Sequence, residues 1–284
     1  MVEPSLIAHA GPAVRSGWRG DLRAYRAVLG SRVRAQWAYR ASFRLDLLGA
    51  GLISLIEFAE VWVLYGQVDV IGGLTLPAVM LVFGLAEMTF SLADLIVGHC
   101  DELPAHVRAG TVDVFYLRPQ PVLAQLITSN IGLRRLARVA GGAVVLTVGL
   151  AVSDVVWSPA SVLLLAVTLP AATAIYAAVF VTAAGLQFFL INGAEATNAF
   201  VYGGRYAGSQ PASVWPRSLL LVFGLIFPVV FTGYLPALWL LDLPFPFGLP
   251  AWSAWLSPFA AAGSWTLALA CWRWGSRHYQ GAGG

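Results

Sequence analysis

Four carboxylates lie inside two long apolar stretches of the sequence, where ionisable side chains are unusual. Glu57 and Glu60 fall in the first stretch, and Glu87 and Asp94 fall in the second. A charged group at membrane depth is costly unless it is paired, hydrated or protonated, and such groups often mark a transport path. Because no cation lies in the same stretches, neutral groups that pack between helices are the alternative. The candidate path residues are Glu57, Glu60 and Glu87, with the packing role left open.

The helix rise sets the depth of two of these carboxylates. At about 1.5 Å per residue, Glu57 and Glu87 each lie roughly 15 Å from the inner ends of their helices. We therefore expect these two side chains to meet at mid-membrane. Asp94 lies near the cytosolic end of its stretch, where a carboxylate needs no special partner.

The sequence lacks the short motifs of self-contained catalysis. It has no G-x-x-x-x-G-K-[ST] phosphate loop, no H-E-x-x-H pair and no G-x-S-x-G elbow. Metal-ligating residue types are densest between His99 and His106, but the paired spacing of a closed metal site is missing. We interpret this stretch as a solvated turn, and we expect no catalytic residue, metal site or cofactor in the chain.

The overall composition is that of a membrane protein. Of the 284 residues, 58% are hydrophobic and 11% are charged, and the mean hydropathy is +0.74. A soluble domain carries about 25% charged residues, because its surface must be polar. The composition therefore excludes a soluble globular domain and predicts a polytopic membrane protein.

Apolar runs of the length that crosses a bilayer occur six times. A hydrocarbon core of about 30 Å needs roughly 20 mainly apolar residues per helix. The predicted fold is all-α, with six transmembrane helices at Leu47–Tyr65, Leu74–Val97, Leu136–Val156, Val162–Ile191, Ser218–Leu241 and Ala251–Trp274. Pro228 and Pro236 interrupt the fifth run, so we expect a broken helix: one part crosses, and the part near Tyr234–Leu241 re-enters from the outer face.

The basic residues, all of them arginine, fall on one side of this topology. Eight arginines precede the first predicted span, five lie between the second span and the first turn of the third, two between the fourth and fifth, and two near the end of the chain. The loops on the other side carry only Asp69, Asp154 and Asp242. By the positive-inside rule, both termini are predicted to be cytoplasmic, and so are the longer loops His99–Arg135 and Asn192–Arg217.

The segment before the first span has the pattern of an amphipathic helix. Apolar residues recur there at spacings of three and four, at Leu22, Tyr25, Leu29, Val33 and Trp37. Such a helix lies along the inner leaflet with its arginines near anionic headgroups. The predicted organisation is a tail with an interfacial helix over residues 1–46, a transmembrane domain over 47–274 and a cytoplasmic tail over 275–284.

The stretch Arg108–Pro121 carries a resemblance to a known family. It is similar to the G-x-[LV]-D-x-x-L-x-R-P segment of ABC-2-type transporter permeases, with matches at Gly110, Asp113, Leu117, Arg118 and Pro119. Tyr116 stands in a position that the family usually gives to another leucine. Further similarities appear in the same order as in the family, at Ile71-Gly72-Gly73, Phe227-Pro228-Val229, Tyr234-Leu235-Pro236-Ala237, and Trp272 through Gly275 followed by Tyr279 and the closing Gly-Ala-Gly-Gly. The resemblance extends from about Tyr39 to the end of the chain.

This resemblance implies a subunit of an ATP-driven exporter in the cell inner membrane. In the family, two permeases, identical or related, form the path, and two separate nucleotide-binding ATPase subunits hold the ATP and Mg²⁺. Membrane lipids, but no nucleic acid, complete the expected partners. The expectation of a hydrophobic or amphiphilic cargo comes instead from six tryptophans, for which a place in the interfacial belts of the membrane is the alternative: Trp62, Trp215, Trp239, Trp252, Trp255 and Trp265.

The resemblance also implies a cytosolic coupling segment at about residues 98–120, which takes up the motion of the ATPase. Its expected functional residues are Asp101, Glu102, Arg108, Gly110, Asp113, Arg118 and Pro119. The residue types fit a short helix, with Asp101 and Glu102 capping its start, Pro104 in its first turn and Gly110 at its end.

Two other functions remain open from the residues alone. One is a membrane-embedded enzyme that modifies lipids, for which Glu57, Glu87 and His99 are the candidate acid–base groups. The other is a membrane scaffold that tethers a cytosolic partner. The absence of a nucleophile or metal motif argues against the enzyme.

Overall fold

The fold is described from a computed structural model of the chain. The structure describes residues 59–129, 135–190 and 194–279, together with the single positions 45, 48, 49, 52 and 56. Glu57 and the predicted amphipathic helix lie outside the described residues.

The described part of the chain is mainly helical, as predicted. Its first elements are α1 (residues 59–65), β1 (Val70–Ile71), β2 (Leu74–Thr75), α2 (Leu76–Val97), a 3₁₀ turn (Gly98–Glu102), α3 (Leu103–Arg108), α4 (Thr111–Tyr116) and α5 (Val122–Ile127). The later helices are α6 (Arg135–Val152), α7 (Pro159–Gln187), α8 (Ala194–Gly208), α9 (Arg217–Leu219, continued by a π-helix, Leu220–Ile226), α10 (Tyr234–Leu240) and α11 (Ser257–Arg277).

A two-residue hairpin is the exception to the all-α prediction. Val70 pairs with Thr75 and Ile71 with Leu74 in antiparallel register. Gly72 and Gly73 connect the strands with φ values of 60° and 84°. Two successive positive φ angles suit the tight turn of a two-residue hairpin, and glycine adopts them without steric cost.

Three helices of the described part are long and apolar enough to cross a membrane. They are the continuous stretch Leu76–Arg108, which contains α2, and the helices α6 and α7. These correspond to the second, third and fourth predicted spans. The region of the sixth predicted span also forms a long helix, α11, which is less apolar than these three.

Glycines bring α2 and α6 into close contact. A Cβ atom added to Gly84 of α2 would lie 2.6 Å from the Cα of Leu146. Cβ atoms added to Gly142 and Gly149 of α6 would lie 2.9 Å and 3.0 Å from the backbone of α2. Small residues allow this approach, because helices inside a membrane associate through packing rather than through the hydrophobic effect.

The helix bundle has two chemically different ends. At one end, Arg135 at the start of α6 contacts Asp94 near the end of α2. At the other end, the Ser153 hydroxyl donates to the Pro77 carbonyl at 2.8 Å. We call the first the arginine end, which also carries the helix terminus at Arg277. We call the second the aspartate end, defined by the loops that contain Asp69, Asp154 and Asp242.

The helix α8 corrects the predicted cytosolic loop Asn192–Arg217. The Gln187 side chain donates to Thr197 at 2.9 Å at the arginine end, whereas the Ser213 hydroxyl donates to the Gly72 carbonyl at 2.7 Å at the aspartate end. At about 1.5 Å per residue, the 15 residues of α8 rise roughly 22 Å, which is most of the thickness of a hydrocarbon core. The prediction of a loop on one side is therefore wrong, and Arg217 lies at the aspartate end.

The segment Arg217–Leu240, which we call the re-entrant segment, turns back on itself. Its two helical parts, Arg217–Gly224 and Val229–Leu240, are bent by 71°. The bend approaches α2, since a Cβ added to Gly233 would lie 2.7 Å from the Val82 carbonyl oxygen. The far end returns to the aspartate end, where the Val156 N–H donates to the Leu240 carbonyl at 2.9 Å. The predicted break is confirmed, but the prediction that one part of this segment crosses is wrong, because both of its ends lie on the same side.

Candidate functional site

An ion pair joins α2 and α8 in the middle of the bundle. Nε of Arg205 donates to Oε2 of Glu87 at 2.9 Å, and Nη2 donates to Oε1 at 2.9 Å. Glu87 is only 2% exposed. This two-pronged geometry is the strongest arrangement between a guanidinium and a carboxylate. No cation lies in the same apolar stretch as Glu87, but Arg205 reaches it from α8, in a region that was predicted to be a loop.

Aromatic and hydroxyl groups complete the surroundings of this ion pair. The Arg205 guanidinium carbon lies 5.4 Å from the centre of the Phe90 ring, within the range of a cation–π interaction. The ring of Tyr176 on α7 packs edge-on against Phe90 at 5.3 Å. Its hydroxyl shares a hydrogen bond of 3.2 Å with Thr232 at the bend of the re-entrant segment. The site therefore connects α2, α7, α8 and the re-entrant segment.

Glu60 also contacts α8. The Tyr206 hydroxyl donates to Glu60 Oε1 at 3.0 Å, and both residues are exposed. Two of the three candidate path carboxylates are thus held by consecutive residues of one helix. The expected meeting of Glu57 with Glu87 falls outside the described residues.

Asp94 forms a second buried charge cluster at the arginine end. Nη1 of Arg135 donates to the Asp94 carbonyl at 2.6 Å and lies 3.3 Å from its carboxylate, and Arg138 lies 3.5 Å away. Asp94 is 1% exposed. The expectation that this carboxylate needs no special partner is wrong, because α6 brings two arginines to it and so joins α2 to α6 at the arginine end.

The predicted coupling segment contains a short helix, α3, and its role in coupling stays a prediction. Pro104 lies in the first turn of α3, and Gly110 ends the turn after it with a left-handed φ of 66°. The predicted capping is wrong: Glu102 is the N-cap residue but makes no side-chain cap hydrogen bond. Glu102 instead lies 3.6 Å from the ring of His99, which is 2% exposed.

Contacts of Ser276 and Tyr279, which we call the Tyr279 clamp, hold α4 against the bundle. The Tyr279 hydroxyl donates to Asp113 Oδ1 at 2.9 Å, and the rings of Tyr116 and Tyr279 stack with an interplanar angle of 8°. The Tyr116 hydroxyl donates to the Ser276 carbonyl at 3.0 Å. Burial of the phenol and the nearby Asp113 carboxylate raise the pKa of Tyr279 to about 12, so this group remains a donor at neutral pH.

Residues 52–283 match the sequence model of one protein family, described as ABC-2 family transporter protein. The chain belongs to this family. It is therefore a membrane-embedded transporter permease, as its motifs predicted. Permeases of this family are generally non-enzymatic subunits that pair with ATPase subunits. No curated protein and no solved structure matches the chain.

The residues predicted to couple this ABC-2 permease to an ATPase divide into two groups by their exposure. Arg108, Asp113, Arg118 and Pro119 are exposed at the arginine end, next to Leu117, which is 86% exposed. Asp101, Glu102 and Gly110 are half-buried, and Tyr202 of α8 donates to Asp101 Oδ2 at 3.5 Å. The first group forms a surface that is open to solvent, and the second group joins that surface to the helix bundle.

The three-dimensional structure adds residues to the permease's candidate site that motif matching did not assign. Arg205, Tyr202 and Tyr206 all lie on α8, whose polar composition resembles that of a loop. Their spacing was the available signal, since residues three and four apart share a helix face. Among the described residues, no group of three or more His, Cys, Asp or Glu side chains is arranged to hold a metal ion.

Proposed function

We propose that this permease is the path-forming subunit of an ATP-driven exporter, and that it works with a second permease and with separate ATPase subunits. The observation that carries the proposal is the exposed surface of α4 and the turn after it, around Leu117, together with the clamp that holds it. A docking element must be exposed to its partner and rigidly joined to the helices that it moves. The contact of Asp113 with Tyr279 meets the second need.

The proposed topology has six crossings of the inner membrane of the cell, and the arginine end faces the cytoplasm. The crossing helices are α1, α2, α6, α7, α8 and α11, and both chain termini are cytoplasmic. The distribution of exposed arginines supports this orientation, because Arg108, Arg118, Arg273 and Arg277 lie at the arginine end. At the opposite end, the structure describes one exposed arginine, Arg217.

The proposed docking surface has the chemistry of a small anchor. Leu117 projects an apolar side chain, and the exposed cations of Arg108 and Arg118 lie on either side of it in sequence. A buried apolar anchor supplies affinity, while surrounding charges steer the partner and fix its register. The partner surface is therefore an apolar pocket with an acidic rim, on an ATPase that binds ATP and Mg²⁺.

The proposed cargo is hydrophobic or amphiphilic. The ion pair of Glu87 with Arg205 supports this cargo class, because a carboxylate held by both oxygens offers no free charge to a substrate. In this proposal the pair is a brace between α2 and α8 at the wall of the path, and the cargo passes along apolar surface.

Co-purification from mild detergent tests the proposal. The tagged full-length chain is expected to co-purify with an ATPase. The rate at which this ATPase hydrolyses ATP is expected to rise when the permease is present. Leu117→Asp and Arg118→Glu are expected to weaken this association by at least about tenfold, since like charges then face each other. Arg217→Glu is the matched control, because it reverses an exposed arginine at the aspartate end. Equal ATPase recovery with all three variants, or no ATPase with the wild type, contradicts the proposal.

A further inference from the structure

A cavity at the aspartate end lies apart from the ion pair and from the coupling segment. Its volume is about 290 Å³, which is at the lower end of the range for small-molecule sites. It lies between the start of α7 and the end of α10. Trp239, Asp242 and Phe245 line one side, and Ser158 and Ser161 line the other.

Asp242 has an unusual backbone position. Its φ is 52°, and among the residues that the structure describes it is the one non-glycine residue with a left-handed conformation. It follows α10 in a Schellman-type ending, in which the Leu243 N–H donates to the Leu238 carbonyl at 2.9 Å and the Asp242 N–H donates to the Trp239 carbonyl at 3.3 Å. Glycine is the usual residue here, sometimes asparagine. A carboxylate is also electrostatically unfavourable at this end of a helix, where the carbonyl groups are partially negative.

The opposite wall of the cavity has little capacity to hold an anion. The start of α7 is closed, because the Ser158 hydroxyl caps the Ser161 N–H at 3.1 Å and the Ser158 carbonyl accepts from the Val162 N–H at 3.2 Å. The first helical residue, Pro159, has no N–H. The Ser161 hydroxyl is engaged with the Val156 carbonyl at 2.6 Å. Among the described residues that line the cavity, Asp242 carries the only charge.

The aromatic side chains add a preference for cations. Trp239 and Phe245 contribute rings to the lining, and Trp239 is held by an edge-on contact with Trp255 at 5.7 Å. The face of an indole ring attracts a cation, most strongly where the site is partly desolvated. An exposed aspartate, two aromatic residues and apolar neighbours therefore line one small space.

We propose that this cavity binds an organic cation, an ammonium group on a small apolar body. The cation compensates the Asp242 carboxylate at the negative end of α10, and its apolar part contacts Trp239 and Leu238. Two sources share this chemistry: the headgroup of a choline or ethanolamine lipid, and a free amphiphilic amine. The site does not depend on the proposed coupling to an ATPase.

Equilibrium dialysis of the full-length chain in phosphatidylglycerol nanodiscs tests the site with two probes, benzyltrimethylammonium and the similarly sized anion phenylmethanesulfonate. We expect the wild type to bind the cation in preference to the anion. Asp242→Asn is expected to weaken cation binding about fivefold. Asparagine accepts the left-handed conformation, so this variant keeps the turn. Trp239→Leu is expected to weaken cation binding about threefold.

Asp69→Asn is the matched control, because Asp69 is an exposed carboxylate of the same end that does not line the cavity. It is expected to bind the cation as the wild type does. Equal cation binding by the wild type and Asp242→Asn overturns the proposal, and so does equal weakening by Asp69→Asn, which would indicate a general surface-charge effect. In discs that also contain phosphatidylcholine, weaker probe binding identifies the lipid headgroup as the natural ligand, and unchanged binding identifies a free amine.

Discussion

Arg205 on α8 donates hydrogen bonds to both carboxylate oxygens of Glu87 on α2, and the two residues are 118 positions apart in the sequence. The pair lies about 15 Å from the arginine end of α2, near the middle of the hydrocarbon thickness. Removing one partner of a buried pair leaves an uncompensated charge, whereas replacing both with apolar residues often leaves stability unchanged. This asymmetry makes the pair testable by mutation.

Glu87→Gln is expected to destabilise the permease by about 3 kcal/mol, because Arg205 then loses the buried carboxylate that compensates its charge. Arg205→Leu is expected to have a similar effect. The double variant Glu87→Leu/Arg205→Leu is expected to recover most of the loss. Thermal unfolding in detergent, followed by size-exclusion fluorescence, measures all three. Additive losses in the double variant would show that the two side chains are not coupled in the folded protein.

Tyr279→Phe keeps the ring stack with Tyr116 but removes the hydrogen bond to Asp113. We expect a cost of about 1 kcal/mol in attaching α4, since the bond is partly exposed. Partner-stimulated ATP hydrolysis is expected to fall while membrane insertion stays normal. Tyr65→Phe removes a hydrogen bond to the Leu74 carbonyl, at the aspartate end, and is the control. Hydrolysis that falls equally with both variants would mean that the effect is not specific to the clamp.

The Tyr279 clamp has a predictable pH dependence. The pKa of this phenol is raised to about 12 from the ordinary 10.0. A raised pKa in the folded state stabilises the protonated phenol, so the contribution is complete below about pH 10 and is lost as the pH rises through about 12. The stability difference between the wild type and Tyr279→Phe should therefore be constant from pH 6 to about 9. A difference that disappears within this range would contradict the assigned bond.

Gly84→Ala is expected to destabilise the contact of α2 with α6 by about 1–3 kcal/mol, because the new methyl group meets the backbone at Leu146. Gly263→Ala in α11 is the matched control, since a Cβ there has no atom within 4 Å. The control is expected to stabilise its helix by up to about 1 kcal/mol. Melting temperatures of the two variants in one detergent measure the difference, and equal values would indicate that α2 and α6 do not pack as described.

Several elements follow from local sequence information. The runs that form α2, α6 and α7 are apolar over a bilayer's length, which leaves a helix as the structure that satisfies its own backbone hydrogen bonds. Pro104 fits the first turn of α3 because its φ is fixed near the helical value, and Gly110 ends the turn after α3 because glycine adopts a positive φ without steric cost. Family membership was also readable, since its motifs are contiguous in sequence.

The path of α8 and of the re-entrant segment was decided by tertiary contacts. Arg205 and its polar neighbours resemble a loop, because the cost of burying a charge depends on a partner that the local sequence does not reveal. Glu87 provides that partner from a distant helix. Ser218–Leu241 has the length and hydropathy of a crossing, but hydropathy carries no information on which side each end lies. Hydrogen bonds of Ser213 with Gly72 and of Val156 with Leu240 place both ends of this segment on one side.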